Sequence, residues 1–185
     1  MHPQLTALAD QLTAVAAKAR DMASACDDDA FHKRPPSGGW SAAECIAHLN
    51  ITTGEYLPLL DKLLASGRPG FSDDQRYRRG FLAALFAWSL EPPARMRIRT
   101  IPRFVPNSTG TKQEIMSEWD RLHREFQTRL QRASGIHLEE LRVTSPFNAK
   151  MSYNIYAGFC ILAAHERRHV WQAERALQGK PVFKE

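Results

Sequence analysis

The sequence has few cysteines and no long apolar run. Its 185 residues include three cysteines, Cys26, Cys45 and Cys160, and an odd number at such wide spacing indicates neither a disulfide framework nor a cysteine zinc site. The longest apolar run, from Phe81 to Leu90, is far shorter than the roughly 20 residues that a membrane-spanning helix needs. The first residues also lack the charged and apolar regions of a signal peptide. We therefore expect a cytoplasmic location and no membrane partner.

Charge of either sign is also modest. The net charge is +5, the sequence pI is about 9.3, and charged residues make up 24% of the chain. This balance suits an anionic small molecule but is too weak to predict nucleic-acid binding. Seven arginines cluster in the middle of the chain and either bind carboxylates or phosphates or form a solvated face; they are Arg76, Arg78, Arg79, Arg95, Arg97, Arg99 and Arg103. No nucleic-acid-binding motif accompanies them, so we expect a small-molecule partner.

Apolar residues recur at three- and four-residue steps in four stretches, which predicts four amphipathic helices. The predicted helices run from Pro3 to Ala25, from Ser41 to about Ser66, from Thr111 to Gly135 and from about Ser152 to Gly179. A Ser or Thr followed three residues later by Glu predicts a capping box at the start of the second and the third helix. The fold class predicted is all-α, a four-helix bundle formed by one domain over residues 1–185.

A long crossover, residues 71–110, joins the second and third predicted helices. It contains a predicted short helix from Gln75 to Leu90 and a predicted extended segment from Arg95 to Ile101, where arginine and apolar residues alternate. Connections of this length inside a compact domain are often lids or interfaces. The apolar stretch from Phe81 to Leu90 is either a dimer contact or a cover for the core.

Three histidines form the clearest chemical signal. His165 and His169 are four residues apart in the fourth predicted helix, so their side chains lie on one helix face. His48 lies on the second predicted helix and could supply a third nitrogen. Three imidazoles with one open position are the ligand set of a catalytic zinc-type centre.

A helical wheel places Gly158 and Gln172 on the same arc as His165 and His169. The small residue predicts free volume for a pocket beside the histidines, and Gln172 is either a hydrogen-bond partner of a metal-ligating side chain or an exposed polar residue. His48 falls near the edge of its apolar stripe, which predicts a site that a small molecule can reach.

Two further residues on other helices are candidates with simpler explanations. Glu44 lies one turn from His48 and is a candidate ligand or base, or only the glutamate of the capping box. His123 lies near the inward face of the third predicted helix, where it either lines the pocket or is a buried, hydrogen-bonded histidine.

The ligand type leaves two reactions open. Neutral imidazoles bind Zn, Ni or Fe, and the bound metal would activate either a water for hydrolysis or a thiol for transfer. Residues His165 to His169 also match His-Glu-x-x-His, in which Glu166 would be the base of a metalloprotease. A helical bundle lacks the strand and cleft that would present a peptide, and we expect Glu166 on the surface or in a helix ion pair.

The two histidine segments together resemble the DinB/YfiT-like superfamily. The resemblance is carried by W-S-A-A-E-C-I-A-H-L-N, which ends at Asn50, and by H-E-R-R-H-V-W-Q, which ends at Gln172. It implies an up-down-down-up bundle, frequent homodimers, and a divalent metal bound by His48, His165 and His169. Its members include bacillithiol- or mycothiol-dependent transferases, a mycothiol-dependent maleylpyruvate isomerase and proposed metal hydrolases. The crossover is not part of the shared pattern.

Two hypotheses about function follow. In the first, the protein is a metal-dependent hydrolase or low-molecular-weight-thiol transferase that acts through a metal-bound water or thiolate. In the second, it is a non-enzymatic, stress-associated dimer whose metal stabilises the bundle.

Overall fold

The computed structural model describes residues 1–96, 99–106 and 110–182. Six α-helices and two short strands lie within them: α1 (Pro3–Ser24), α2 (Asp28–His32), α3 (Ala42–Ala65), α4 (Phe81–Leu90), α5 (Lys112–Arg132), β1 (Arg142–Thr144), β2 (Ser152–Asn154) and α6 (Ile155–Leu177). A single turn of 3₁₀ helix spans Pro102–Phe104. The predicted all-α class is confirmed at this level, since most of the chain is helical.

Local capping determines where the long helices begin. Ser41 accepts a hydrogen bond from the Glu44 backbone N–H at the start of α3, and the Glu44 carboxylate accepts one from the Ser41 backbone N–H. Thr111 and Glu114 form the same reciprocal pair at the start of α5. Both predicted capping boxes are confirmed, because each satisfies two backbone donors that a helix start leaves unpaired.

Two helices differ from the prediction. The helix predicted over Gln75–Leu90 begins only at Phe81, because Gly80 precedes it with a φ of 75°, which a right-handed helix does not allow. The short helix α2 was not predicted. It forms after the end of α1 because the Asp27 side chain accepts a hydrogen bond from the Ala30 backbone N–H.

A small hairpin before α6 was also not predicted. Strands β1 and β2 pair antiparallel, with Val143 opposite Tyr153, and α6 then begins at Ile155 instead of Ser152. Asn154 accepts a hydrogen bond from the Ala157 backbone N–H and so caps the helix. Strands of three residues are too short for the alternation of apolar and polar residues to be recognised in the sequence.

The four long helices pack in a ring of contacts. Both α1 and α3 contact α5 and α6, and α4 lies against α6. One group of buried apolar residues contains Leu5, Leu60, Phe126 and Phe159, and a second group lies around the start of α3 and the end of α6. This second group flanks His48 and His169, whereas the residues before His165 belong to the first group.

The crossover lies partly outside the core. Residues 97 and 98 of the predicted extended segment lie outside the described residues, and those on either side form no regular element. On α4, Phe81, Leu82, Leu85 and Trp88 are at least half exposed. Within the described residues, no helix combines the length and apolar character that crossing a membrane requires.

Candidate metal centre

The fold brings the three histidines together. His48 lies in the second turn of α3, and His165 and His169 lie in the middle of α6. The Nε2 atoms of His48 and His165 are 3.2 Å apart, and one ring nitrogen from each of the three residues lies within 4.8 Å of the others. Two nitrogens bound to one tetrahedral zinc at about 2.0–2.1 Å would be roughly 3.3 Å apart. The three-histidine cluster could therefore hold a metal ion.

The crossover fixes the orientation of His48. The His48 Nδ1–H donates to the backbone carbonyl of Phe104 over 2.8 Å, so the lone pair lies on Nε2, which faces His165. A backbone carbonyl behind an imidazole is a common device for holding a metal-ligating histidine in one tautomer. Phe104 is fully buried in the 3₁₀ turn. The sequence predicted a role for the crossover from its length. It did not predict the contact of Phe104 with His48.

Aromatic rings enclose the histidines. The Trp40 ring centre lies 4.9 Å from that of His48 and stacks on His169 at 5.8 Å. On the other side, Phe147 lies 5.7 Å from His165. His48 and His169 are buried, whereas His165 is partly exposed. The cluster is therefore less accessible than the edge position predicted for His48, and the access that remains is on the His165 side.

Burial keeps the three imidazoles neutral. It lowers the pKa of His48 to about 4, although the hydrogen bond to Phe104 opposes the change. The pKa values of His165 and His169 lie well below the ordinary value, first because of burial, then because of the other histidines of the cluster and last because of Arg168. Neutral imidazole is the form that binds metals, so at neutral pH no proton has to leave.

Glu44 does not join the cluster. Its carboxylate accepts hydrogen bonds from the Ser41 backbone N–H and from the Arg34 guanidinium. Burial, the largest single effect, would raise the pKa of Glu44, but the bonds from Arg34 and Ser41 together lower it. This carboxylate therefore closes the helix cap and an ion pair, and the ligand group in the described residues contains no carboxylate.

Gly158 and Gln172 lie on opposite sides of the histidines along α6. The hairpin takes up much of the free volume predicted at Gly158, since a Cβ atom there would already be in ordinary van der Waals contact with Tyr153 at 3.4 Å and with Val143 at 3.6 Å. Gln172 is half-buried, and its side chain interacts favourably with the charged form of His169. Among the described residues, however, no hydrogen bond of normal geometry reaches His169 Nδ1.

His123 and Glu166 form a second buried group. Glu166 is only 2% exposed, so the prediction of a surface position was wrong, and its carboxylate lies 3.4 Å from His123 Nδ1. His123 Nε2 lies 3.0 Å from the Gln127 side chain, beside a groove of about 410 Å³ between α1 and α5. Glu166 is buried because α6 has neighbours on several sides, which a helical wheel of one helix does not show.

The position of Glu166 also removes the metalloprotease alternative. In a His-Glu-x-x-His protease, the glutamate must act on the ligand of the metal. Here Glu166 faces His123 instead.

The two arginines between the histidines hold the end of α4. Arg167 pairs with Glu91, the residue after α4, with its Nε 2.9 Å from the carboxylate. Arg168 is 3% exposed and donates to the carbonyls of Met96 and Ser89, at 2.6 and 3.4 Å. The segment from His165 to His169 therefore supplies two members of the three-histidine cluster, and the side chains between them contact α5 and the crossover.

One comparison with known proteins identifies the family of this chain. The family model of the DinB superfamily matches residues 11–173 of the 185, a span that includes the three histidines and all of the crossover. The chain therefore belongs to the DinB superfamily. Searches of curated proteins and of solved structures found no significant match.

Proposed function

We propose that this protein is a metal-dependent enzyme of the DinB group, with a divalent metal bound by His48, His165 and His169. The observation that carries the proposal is the convergence of three neutral imidazoles, joined by no Cys, Asp or Glu ligand in the described part of the chain. Three nitrogens leave a position open, as catalytic sites do and structural sites do not. Zn, Ni and Fe all suit three imidazoles.

The bound metal would supply a nucleophile at neutral pH by lowering the pKa of a water or thiol that binds it. The chain would contribute the rest of the site. The Phe104 carbonyl orients His48, and the rings of Trp40 and Phe147 exclude water from two sides of the cluster. A small-molecule substrate, or a thiol cofactor such as bacillithiol or mycothiol, would enter past the partly exposed His165.

Metal titration tests the proposal. Chelator-treated protein should bind about one Zn or Ni per chain, measured by calorimetry and metal analysis, and each of H48A, H165A and H169A should bind it at least about 100-fold more weakly. H137A is the matched control, because His137 lies in a loop away from the cluster and should leave the affinity unchanged. Full affinity in any of the three variants, or no metal in the wild type, would refute the site.

A thiol panel separates the two reactions. With metal-loaded protein, turnover of ester or amide substrates without added thiol would indicate a hydrolase. Turnover of electrophiles only with a low-molecular-weight thiol would indicate a transferase. H48A serves as the inactive control in both assays.

The second candidate function is a structural metal in a stress-associated dimer. It is favoured by the enclosure of the site, since His48 and His169 are both less than 10% exposed. In that case the metal-loaded protein should show no turnover and no exchangeable ligand at the metal.

We further propose that two copies associate through α4. Phe81, Leu82, Leu85 and Trp88 are 81%, 78%, 50% and 55% exposed, so each copy presents on the order of 500 Å² of apolar surface. Two such faces would together bury on the order of 1,000 Å², the lower limit for a specific interface. Light scattering should give the dimer mass, and L82K should give the monomer.

Two further features are proposed from membership of the DinB superfamily. The four long helices would form the up-down-down-up bundle of a single domain over residues 1–185, and the protein would act in the cytoplasm.

A further inference from the structure

The surroundings of the three histidines carry an unbalanced positive charge. Arg168 lies one residue before His169 and is 3% exposed. Its guanidinium donates to the backbone carbonyls of Ser89 and Met96, which are neutral groups. No carboxylate in the described residues forms an ion pair with it, and residues 97, 98 and 107–109, which complete the crossover, contain no acid. A buried guanidinium without a carboxylate is costly, so it calls for an explanation.

The nearby acidic residues are committed elsewhere. Glu44 is paired with Arg34, and Glu166 faces His123. By contrast, the neighbouring Arg167 is neutralised by Glu91. Arg168 is therefore the charge of this helix segment that no acid compensates within the described part of the chain.

This charge lies beside the histidines. Arg168 is three residues after His165 and directly before His169 on α6, and side chains three residues apart on a helix are neighbours. A buried positive charge next to these rings disfavours a metal dication bound to them. It favours a negative ligand at the same place, and the apolar rings of Trp40 and Phe147 beside the histidines reduce the screening of both effects.

We propose that Arg168 makes the open position of the three-histidine site select anionic ligands: a thiolate, a carboxylate or a small inorganic anion. The inference rests on the proposed metal site and adds the charge of its ligand. Arg168 weakens the binding of the metal itself and strengthens the binding of the anion to the loaded site. The hydrogen bonds to Ser89 and Met96 hold the guanidinium in place without cancelling its charge.

A structural role alone would give a different pattern. If Arg168 only fastened the end of α4, its replacement would loosen the site and weaken the binding of metal and anion together. If its charge acts, the two affinities change in opposite directions.

The test uses full-length protein, cobalt(II) as a spectroscopic metal and azide as the anion. Cobalt affinity is measured by titration, and azide affinity from the change in the visible cobalt spectrum. In R168Q we expect azide to bind about tenfold more weakly and cobalt to bind about three- to tenfold more tightly than in the wild type. R168K, which keeps the charge, should stay within about threefold of the wild type for both ligands. R167Q/E91Q is the matched control and should change neither affinity, since it removes a positive and a negative charge together.

The outcomes separate this inference from the proposed function. A wild type that takes up no cobalt would refute the metal site and the inference with it. Cobalt uptake with equal azide affinity in R168Q and the wild type would refute the inference alone. Weaker binding of both ligands in R168Q would also refute it, in favour of a structural role.

Discussion

Two groups of buried histidine lie on different sides of α6, and they differ in their partners. The first group, called the triad below, is the three-histidine cluster of His48, His165 and His169, which contains no carboxylate. In the second group, His123 faces the carboxylate of Glu166. Three buried imidazoles that converge without an acid can bind an external cation. The Glu166 carboxylate lies 3.4 Å from His123 Nδ1 and can pair with a charged imidazole, although no hydrogen bond of normal geometry joins the two side chains within the described residues. The triad is therefore suited to ligand binding and the His123–Glu166 pair to a buried contact between α5 and α6 inside the bundle.

The largest expected effect is stabilisation of the triad by metal. Zinc at about 1,000 times its Kd should raise the free energy of unfolding by about 4 kcal/mol, because only the folded state assembles the three ligands. H48A should lose this increment, whereas H123A should keep it even though its own stability is lower. Denaturant unfolding with and without zinc measures both, and an equal increment in H48A would erase the distinction between the two groups.

Loss of the carboxylate should act on the His123–Glu166 pair alone. E166A leaves His123 without its partner in a buried position and should lower the free energy of unfolding of metal-free protein by about 3 kcal/mol. The double variant E166L/H123L removes both polar groups and should recover most of the loss. Urea unfolding measures these values, and a cost below about 1 kcal/mol for E166A would contradict a role for the pair in helix packing.

A fall in pH should change the contributions of the two groups to the free energy of unfolding in opposite directions. In metal-free protein the unfolded histidines take up protons near pH 6.5, while folded His48 stays neutral down to about pH 4. Each such histidine should lower the free energy of unfolding by up to about 1.4 kcal/mol per pH unit as the pH falls through this window. The pKa of Glu166 is raised by burial, so its protonation favours the folded state as the pH falls.

Replacement of His48 tests this pH dependence. H48N should flatten the fall in stability between pH 6.5 and 4, as measured by urea unfolding at a series of pH values. A slope equal to that of the wild type would show that His48 is not held neutral by the fold.

The smallest expected effects distinguish the two caps. S41A and T111A should each cost about 1 kcal/mol of stability, because each removes a side-chain acceptor from a helix start. Ser41 caps α3, which carries His48, whereas Thr111 caps α5, which carries no triad histidine. S41A should therefore weaken zinc binding, by up to about tenfold, and T111A should not. Calorimetric titration measures this, and an equal loss in T111A would argue against a local effect.

The sequence predicted those parts of the site that depend on local spacing. His165 and His169 share a helix face because they are four residues apart, and the two capping boxes depend on residues three apart. The convergence of His48 with this pair was expected from the family resemblance and depends on the packing of α3 against α6.

Contacts between distant segments could not be predicted in this way. Phe104 reaches His48 through a backbone carbonyl, which leaves no trace in residue identity. The burial of Glu166 depends on the number of neighbours around α6, and the filling of the space beside Gly158 depends on a hairpin whose strands were too short to recognise.

By itself the sequence determined the helical class, the starts of the two helices with capping boxes and the histidine pair on one face, because periodicity and capping act over three or four residues. Only the tertiary structure decided which groups face one another: Phe104 behind His48, Glu166 beside His123, and Arg168 without an acidic partner in the described part of the chain. The physical reason is that the electrostatics of a buried group depend on every element packed around it, and these elements are far apart in the chain.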